Sequence, residues 1–171
     1  MSNIVSNSTP LIYLAKTNKL GLLKIIYNEV FISEEVKKEV VNEGKRLKKL
    51  DANLVEKEIN EGRIKVKKVS SLIEVPIELD KGEASTITLA KKLGIKEVLI
   101  DEDSARTAAK MLGLIPRGTL FILLKALKLN KIDFDEFLKV LDDLLKEGFR
   151  LREEVYLKVI KEAKRISQSS Q

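Results

Sequence analysis

The sequence contains no cysteine and no histidine, and these two absences exclude several kinds of active site. Without cysteine the chain cannot form a disulfide, a thiolate zinc site or a cysteine nucleophile. Without histidine it cannot form a Ser-His-Asp triad or a histidine metal ligand, and it lacks the usual general base. An active site would have to be built from carboxylates, amides, hydroxyls, lysine and arginine. That composition favours a hard metal ion with oxygen ligands.

Aromatic residues, long apolar runs and phosphate-binding glycine patterns are also scarce or missing. Only 5% of the residues are aromatic and none is tryptophan, so a core must consist mainly of leucine, isoleucine and valine. No apolar run approaches the roughly 18 residues of a membrane span, and the amino terminus does not read as a signal segment. We therefore expect a cytoplasmic protein without a membrane segment. The patterns GxxxxGK[ST] and GxGxxG do not occur, so nothing supports nucleotide-driven chemistry.

The residues that are present indicate a folded, charge-rich protein. The chain has 171 residues, of which 44% are hydrophobic and 34% are charged. This length suits one domain, or one domain with a helical extension. The net charge of +6 suits a polyanionic partner, although many proteins with such a charge bind no nucleic acid.

Short apolar runs alternate with amphipathic segments along most of the chain. We predict strands at residues 4–5, 30–32, 63–69, 97–101 and 114–116, with helices between them. The third run alternates apolar residues with lysines, which is typical of an edge strand. Helices are expected to break near Thr17 and to stop at Gly44 and Gly94. The repetition predicts an α/β fold with a parallel sheet covered by helices on both faces.

The last forty residues have a different pattern. Phe134, Phe137, Leu141 and Leu144 share one helical face, and a second apolar face follows Gly148. We predict a helical hairpin and divide the chain into a domain at 1–130 and an extension at 131–171. The apolar faces would pack on the domain itself, on a second copy of the chain, or against a partner protein.

A polar corner follows the first strand in the stretch SNSTP at residues 6–10. Serine or threonine followed by proline is the expected start of a helix, with a hydroxyl capping the exposed N–H groups. In α/β folds such corners often carry the chemistry. Asn7 is unexpected there, because a carboxylate would bind a metal ion more strongly.

Acidic and amide side chains stand at the predicted ends of strands and the starts of helices. Because the carboxyl ends of parallel strands 1 and 4 can meet where the strand order reverses, these groups can converge there. Converging carboxylates repel one another unless a divalent cation holds them, and Mg²⁺ or Mn²⁺ is the natural cation for oxygen ligands. The residues concerned are Asn7, Glu39, Glu83 and Asp101, with Glu102 and Asp103 beside the last.

Each of these acids also has a purely structural explanation. Acids in the first turn of a helix, such as Glu83, Glu102 and Asp103, are favoured by the helix dipole whatever the function. Glu39 would belong to a solvated charged face. Asp101 follows a buried apolar run at the end of a strand, which gives it the strongest claim to a functional role.

The order and spacing of several segments resemble those of PIN-domain proteins, in particular an archaeal and bacterial branch related to the VapC toxins. The resemblance covers about residues 3–130 and extends to a tail, GFRLREEVYLKVIKEA. The segments are VSNSTPLIYLAK, VFISEEVKKEV, LDKGEASTITLAKKLG, EVLIDEDSARTAAKMLGL and RGTLFILLKAL. It implies a parallel sheet of order 3-2-1-4-5 and a ribonuclease site that depends on Mg²⁺ or Mn²⁺. It also implies RNA as substrate and a cognate antitoxin as a possible partner. The apolar tail helices add the expectation of a homodimer.

The resemblance also assigns roles to individual residues. The first acidic position falls on Asn7, the second on Glu39 and the third on Glu83, and the fourth falls on Asp101 or Asp103. The polar turn around the first position and the hydroxyl that lines the crevice correspond to Ser6, Ser8, Thr9 and Thr119. Basic side chains that would steer an RNA backbone are Lys37, Lys38, Arg106, Lys110 and Arg117.

The departure from the family pattern is Asn7, where most active PIN nucleases have aspartate. An amide oxygen can bind a metal ion but brings no charge. Three interpretations follow: a weaker nuclease, a nuclease completed by a partner, or a PIN fold that binds RNA or protein without cutting. The leading hypothesis is a metal-dependent ribonuclease that hydrolyses RNA phosphodiesters, and the alternative is a catalytically weak or inactive PIN-fold module that binds RNA or protein.

Overall fold

A five-stranded sheet, parallel throughout, forms the centre of the computed structural model, which describes residues 1–170. Its strand order is β3-β2-β1-β4-β5, so the predicted topology is confirmed. The strands are short, and β3 lies at an edge as its lysines predicted. Their bounds are β1 Ile4–Ser6, β2 Val30–Ser33, β3 Ile64–Lys67, β4 Glu97–Leu99 and β5 Ile115–Arg117.

Helices connect the strands and continue beyond the sheet. The predicted break in the first helical segment is confirmed, because α1 ends at Lys16 and α2 begins at Leu22. The helices are α1 Ser8–Lys16, α2 Leu22–Ile26, α3 Glu34–Lys37, α4 Gly44–Arg46, α5 Leu50–Asn60, α6 Lys81–Leu93, α7 Asp103–Met111, α8 Thr119–Lys128, α9 Phe134–Lys146 and α10 Glu153–Ser169. A π-helical segment, Lys38–Glu43, joins α3 to α4. None of the helices in residues 1–170 combines the length and the apolar character needed to cross a membrane.

The central strand β1 pairs with β2 on one side and with β4 on the other. Ile4 is opposite Val30 of β2, and Ser6 is opposite Leu99 of β4. The chain crosses to opposite halves of the sheet from this point, so the carboxyl ends of β1 and β4 form the edge where such sheets bind ligands.

An aliphatic core fills one side of this sheet, as the composition predicted. Val5 and Val98 of the strands pack with Ile87 of α6 and Ala108 of α7, and all four side chains are buried. Burial of such side chains stabilises the fold by about 1.5–3 kcal/mol for each of the larger ones. The core fixes the first turns of α6 and α7 close to the ends of the strands.

Gly44 does not end a helix, contrary to the prediction. Its backbone is right-handed helical, and the helical path continues through α4 to Arg46. A Cβ atom at Gly44 would lie 2.7 Å from the Cβ of Ala52, so the glycine serves the close approach of α5. The backbone leaves the right-handed helical conformation only after α4, at Lys48, whose φ is 56°.

Two buried serines tie the end of β2 to the start of α6. The Ser33 hydroxyl accepts a hydrogen bond from the Val36 N–H (3.1 Å) and lies 2.6 Å from the Ser85 hydroxyl. Because Ser85 donates to the carbonyl of Gly82 (2.9 Å), Ser33 is the donor in the serine pair. The amino terminus of α6 is therefore fixed above the end of β2.

Residue contacts divide the chain into two compact units, Met1–Thr119 and a second that begins at Leu120. In the second unit α9 and α10 pack together as the predicted helical hairpin. The predicted domain boundary after residue 130 stays a prediction, because dense contacts do not test independent folding. The buried residues of the two helices are Phe137, Val140, Leu141, Leu144, Val159, Ala163 and Ile166.

Candidate active site

Asn7 occupies the position just before α1, with φ −81° and ψ 174°. Its N–H donates to the carbonyl of Leu99 (2.9 Å), which extends the pairing of β1 with β4. The side chain is buried and does not cap the helix, although asparagine is among the best capping residues. Its Oδ1 atom accepts no hydrogen bond from any residue in 1–170.

The hydroxyl groups of the same corner also leave the helix uncapped, so the prediction of a serine or threonine cap is wrong. The Ser8 hydroxyl donates to Oε2 of Glu39, and the Thr9 hydroxyl donates to Oε1 of Glu102 (2.6 Å). The Ser6 hydroxyl donates to the backbone carbonyl of Asn7 (2.9 Å). Hydrogen bonds to a carboxylate are stronger than those to a neutral group, which explains why the hydroxyls of Ser8 and Thr9 turn to these acids.

Glu39 lies in the π-helical segment, a rare local structure that is frequent at functional sites. Partial burial raises the pKa of its carboxyl group above the ordinary value, while the bond from Ser8 lowers it. Repulsion from Asp80, Glu35 and Glu102 adds to the rise in this pKa. Glu39 as a whole residue is exposed, but its carboxyl group lies near these other acids.

Glu83 has both a structural and an electrostatic role in the first turn of α6. Its Oε2 accepts a hydrogen bond from the Asp80 N–H (3.0 Å), and its own N–H donates to Oδ1 of Asp80 (2.7 Å). This reciprocal pair is a capping box. Burial raises the pKa of the Glu83 carboxyl group, and repulsion from Asp80, Glu102 and Glu39 raises it further.

Asp101 is bound to Thr119 through both carboxylate oxygens. The Thr119 N–H donates to Oδ1 (2.7 Å) and its hydroxyl donates to Oδ2 (2.7 Å). Burial raises the pKa of Asp101, and the two bonds from Thr119 oppose that rise. Arg106, beside it, donates to the carbonyl of Ile100 (3.0 Å). As it stands, Asp101 anchors the start of α8 to the end of β4.

Glu102 is the acid of this segment that turns toward Glu39 and Glu83, and it was not among the predicted site residues. Its Oε2 atom is buried and accepts no hydrogen bond within the described chain. Asp103 is exposed at the start of α7. Successive residues of an extended segment point to opposite sides, so the sequence indicates that Asp101 and Glu102 face in different directions. It does not indicate which of the two directions leads to the crevice.

Together these side chains form a negatively charged crevice at the carboxyl ends of β1 and β4. Repulsion from Glu102 raises the carboxyl pKa of both Glu39 and Glu83, and the hydroxyl of Thr9 in the α1 corner holds Glu102. The grouping brings Asn7, Glu39 and Glu83 of the predicted set together with Ser8 and Thr9. Asp101 and Thr119 form the adjoining pair, whereas Ser6 bonds only to backbone.

The fit of the crevice to a divalent cation depends on its oxygen atoms. No three acidic side chains in residues 1–170 stand close enough to form a ready-made metal site. Yet two buried oxygens, Oδ1 of Asn7 and Oε2 of Glu102, lack any partner, and buried acceptors without one are costly. Their neighbours are oxygen donors of the kind that Mg²⁺ and Mn²⁺ bind. The donor set therefore fits a hard cation in its chemistry.

Comparison with known proteins points to one family. Residues 3–165 match the family model DUF3368, described as a PIN domain. A solved structure of a PilT N-terminus domain protein, SSO1118, from the hyperthermophilic archaeon Sulfolobus solfataricus P2 is similar at 17% sequence identity and a TM-score of 0.45. That similarity covers 74% of this chain and 94% of the other. No curated protein matches the sequence.

Replacing Asp101 with alanine is expected to lower the free energy of unfolding by about 1–3 kcal/mol, because it leaves the buried N–H and hydroxyl of Thr119 without their acceptor. Urea denaturation followed by circular dichroism measures the change. Asp103→Ala is the matched control, since Asp103 is exposed and its loss should cost under about 1 kcal/mol. Equal losses in the two variants would contradict the anchoring role.

The stability of the Glu83→Gln variant should increase relative to that of the unchanged protein as pH rises. The raised pKa means that ionising Glu83 costs the folded state stability; this cost is absent below the ordinary carboxyl pKa and complete above the raised one. Glutamine stays neutral and can keep the capping box. Melting temperatures in EDTA between pH 4 and 7.5 measure the difference.

Glu162→Gln provides a control of opposite sign for that titration. The bond from Arg165 lowers the pKa of Glu162, so its ionised form stabilises the fold at neutral pH and this contribution disappears on acidification. The Glu162 variant should therefore lose stability relative to the unchanged protein as pH rises. The same pH slope in both variants would contradict the assignment for Glu83.

Proposed function

The chain belongs to the PIN-domain family, whose members are typically nucleases, and we propose that it is a metal-dependent ribonuclease. The observation that carries the proposal is the pair of buried oxygens, Oδ1 of Asn7 and Oε2 of Glu102, that have no hydrogen-bond partner within residues 1–170. The same Glu102 raises the carboxyl pKa of Glu39 and Glu83 by repulsion. The side chains of Asn7, Glu39, Glu83 and Glu102 all carry oxygen atoms of the type that bind Mg²⁺ or Mn²⁺, and the carboxyl ends of β1 and β4 are where such sheets bind ligands.

Asn7, Glu39, Glu83 and Glu102 would hold the cation, Mg²⁺ or Mn²⁺. Asp101 stays a predicted ligand, because each carboxylate oxygen has a second lone pair beyond the one that Thr119 uses. Asp103, exposed at the start of α7, stays one as well. A divalent ion bound there supplies an activated water and neutralises charge that develops on the phosphodiester.

The protein's own groups would set the protonation state of the crevice. Burial and mutual repulsion raise the pKa of Glu39 and Glu83 above the ordinary carboxyl value. A carboxylate with a raised pKa is a stronger general base at its oxygen atoms than an ordinary surface acid. The hydroxyl of Ser8 holds one oxygen of Glu39, which orients the other.

RNA is the proposed substrate, because the net charge of the chain is +6 although the crevice is acidic. Lys37 and Lys38 lie next to Glu39 on the same helical path and would contact phosphates. Of the other predicted basic residues, Arg106 donates to a backbone carbonyl and Arg117 pairs with Glu97. Lys110 is exposed.

A second candidate function is a PIN fold that binds RNA or protein without cutting it. The neutral Asn7 favours this function, because it removes one negative charge from the crevice and with it some affinity for a cation. A cognate antitoxin, a homodimer and the relation to VapC toxins stay predictions as well.

Cleavage of single-stranded RNA with Mn²⁺ is expected to fall by about 10²-fold or more in Glu39→Gln and Glu102→Gln, because each variant removes one carboxylate from the crevice. A gel assay of labelled RNA with and without EDTA measures it. Glu162→Gln, in α10, is the control and should cleave like the unchanged protein. Cleavage that persists in EDTA, or in both crevice variants, would contradict the proposed site.

Asn7→Asp is expected to strengthen Mn²⁺ binding by roughly tenfold and to increase cleavage, because it places a charge where a buried oxygen has no partner. Isothermal titration calorimetry and the same RNA assay measure the two effects. If the variant binds Mn²⁺ more tightly but neither protein cuts RNA, the binding-module function is supported in place of the nuclease.

A further inference from the structure

Gly82 stands in the first turn of α6, immediately before Glu83, at a place where backbone conformation does not require glycine. It is not among the glycines with positive φ. Glycine within a helix destabilises it by roughly 0.5–1 kcal/mol relative to alanine. Its presence in the first turn of a 13-residue helix therefore needs another physical reason.

The reason is the carboxylate of Glu39. A Cβ atom built on Gly82 would lie 3.0 Å from both Cδ and Oε2 of Glu39, and closer still to Oε1. Such separations are below the contact distance of carbon and oxygen atoms, so a methyl group and the observed carboxylate exclude each other. Gly21, by contrast, has nothing within 4 Å of the same position.

The backbone of Gly82 is held firmly, so a collision would displace the side chain of Glu39. The carbonyl of Gly82 accepts hydrogen bonds from the hydroxyls of Ser85 (2.9 Å) and Thr86 (2.8 Å), both buried. Ser85 is also bonded to Ser33 at the end of β2. Within residues 1–170, the tip of Glu39 is held by a hydrogen bond from the Ser8 hydroxyl alone. The flexible partner moves first.

We propose that Gly82 is a positioning residue of the crevice: its missing side chain leaves the space in which Glu39 lies between the Ser8 hydroxyl and the first turn of α6. This inference rests on the proposed metal-dependent function for its effect on the cation, but not for its effect on Glu39. Glycine at position 82 therefore lowers the stability of α6 slightly, and it leaves the space in which the Glu39 carboxylate lies.

The test compares Gly82→Ala with Gly21→Ala. Gly82→Ala should melt in EDTA no lower than the unchanged protein, because alanine favours the helix and only a side-chain tip has to move. Its dissociation constant for Mn²⁺, measured by calorimetry, should rise by about 10- to 100-fold, as when groups that orient metal ligands are removed. Gly21→Ala should leave Mn²⁺ binding unchanged.

Two further measurements separate positioning from general damage. The double variant Glu39→Gln with Gly82→Ala should bind Mn²⁺ no more weakly than Glu39→Gln alone, because the alanine acts only through Glu39. A crystal structure of Gly82→Ala in EDTA should show the Glu39 carboxylate beyond hydrogen-bond distance of the Ser8 hydroxyl.

The outcomes also distinguish this inference from the proposed function. If the unchanged protein binds no Mn²⁺, the metal-dependent function fails, and the crystal structure still decides whether Gly82 places Glu39. Unchanged Mn²⁺ binding in Gly82→Ala, a Ser8–Glu39 bond that survives in its structure, or a large drop in its melting temperature would each overturn the inference.

Discussion

The pairing of β1 with β4 is the constraint on which the crevice depends. The register that sets Ser6 opposite Leu99 continues through the bond from the Asn7 N–H to the Leu99 carbonyl. This bond places the start of α1 directly beside the segment that carries Asp101 and Glu102. Because the chain crosses in opposite directions from these two strands, a crevice lies at their carboxyl ends.

At three places around the crevice, the local structure departs from the arrangement that would be most stable. The first turn of α1 has no side-chain cap at Asn7, although a cap usually contributes about 1 kcal/mol. The helix that carries Glu39 changes from α to π at Lys38. Burial next to other acids raises the carboxyl pKa of Glu39 and Glu83. Departures from local rules that gather in one region are typical of functional sites.

The sequence predicted the topology of the sheet better than it predicted the residues of the site. Alternating apolar and amphipathic runs and the lysine-rich edge strand predicted the elements, and the order of the sheet followed from the family resemblance. Gly44 was misjudged because its close approach to Ala52 belongs to tertiary packing. Glu102 was missed for a similar reason, since three acids in a row carry no local sign of which one faces Glu39. The uses of the Ser8 and Thr9 hydroxyls depend on partners far away in sequence.

Because these partners are far apart in sequence, the crevice can form only when most of the first unit has been synthesised. The Ser8–Glu39 bond spans 31 positions and the Thr9–Glu102 bond spans 93. Contacts of such long range cost the entropy of closing large loops and are associated with slow folding. During synthesis the chain cannot assemble this region until β4 and Glu102 have left the ribosome. Any activity that resides there is withheld from the nascent protein and arrives with the completed first unit.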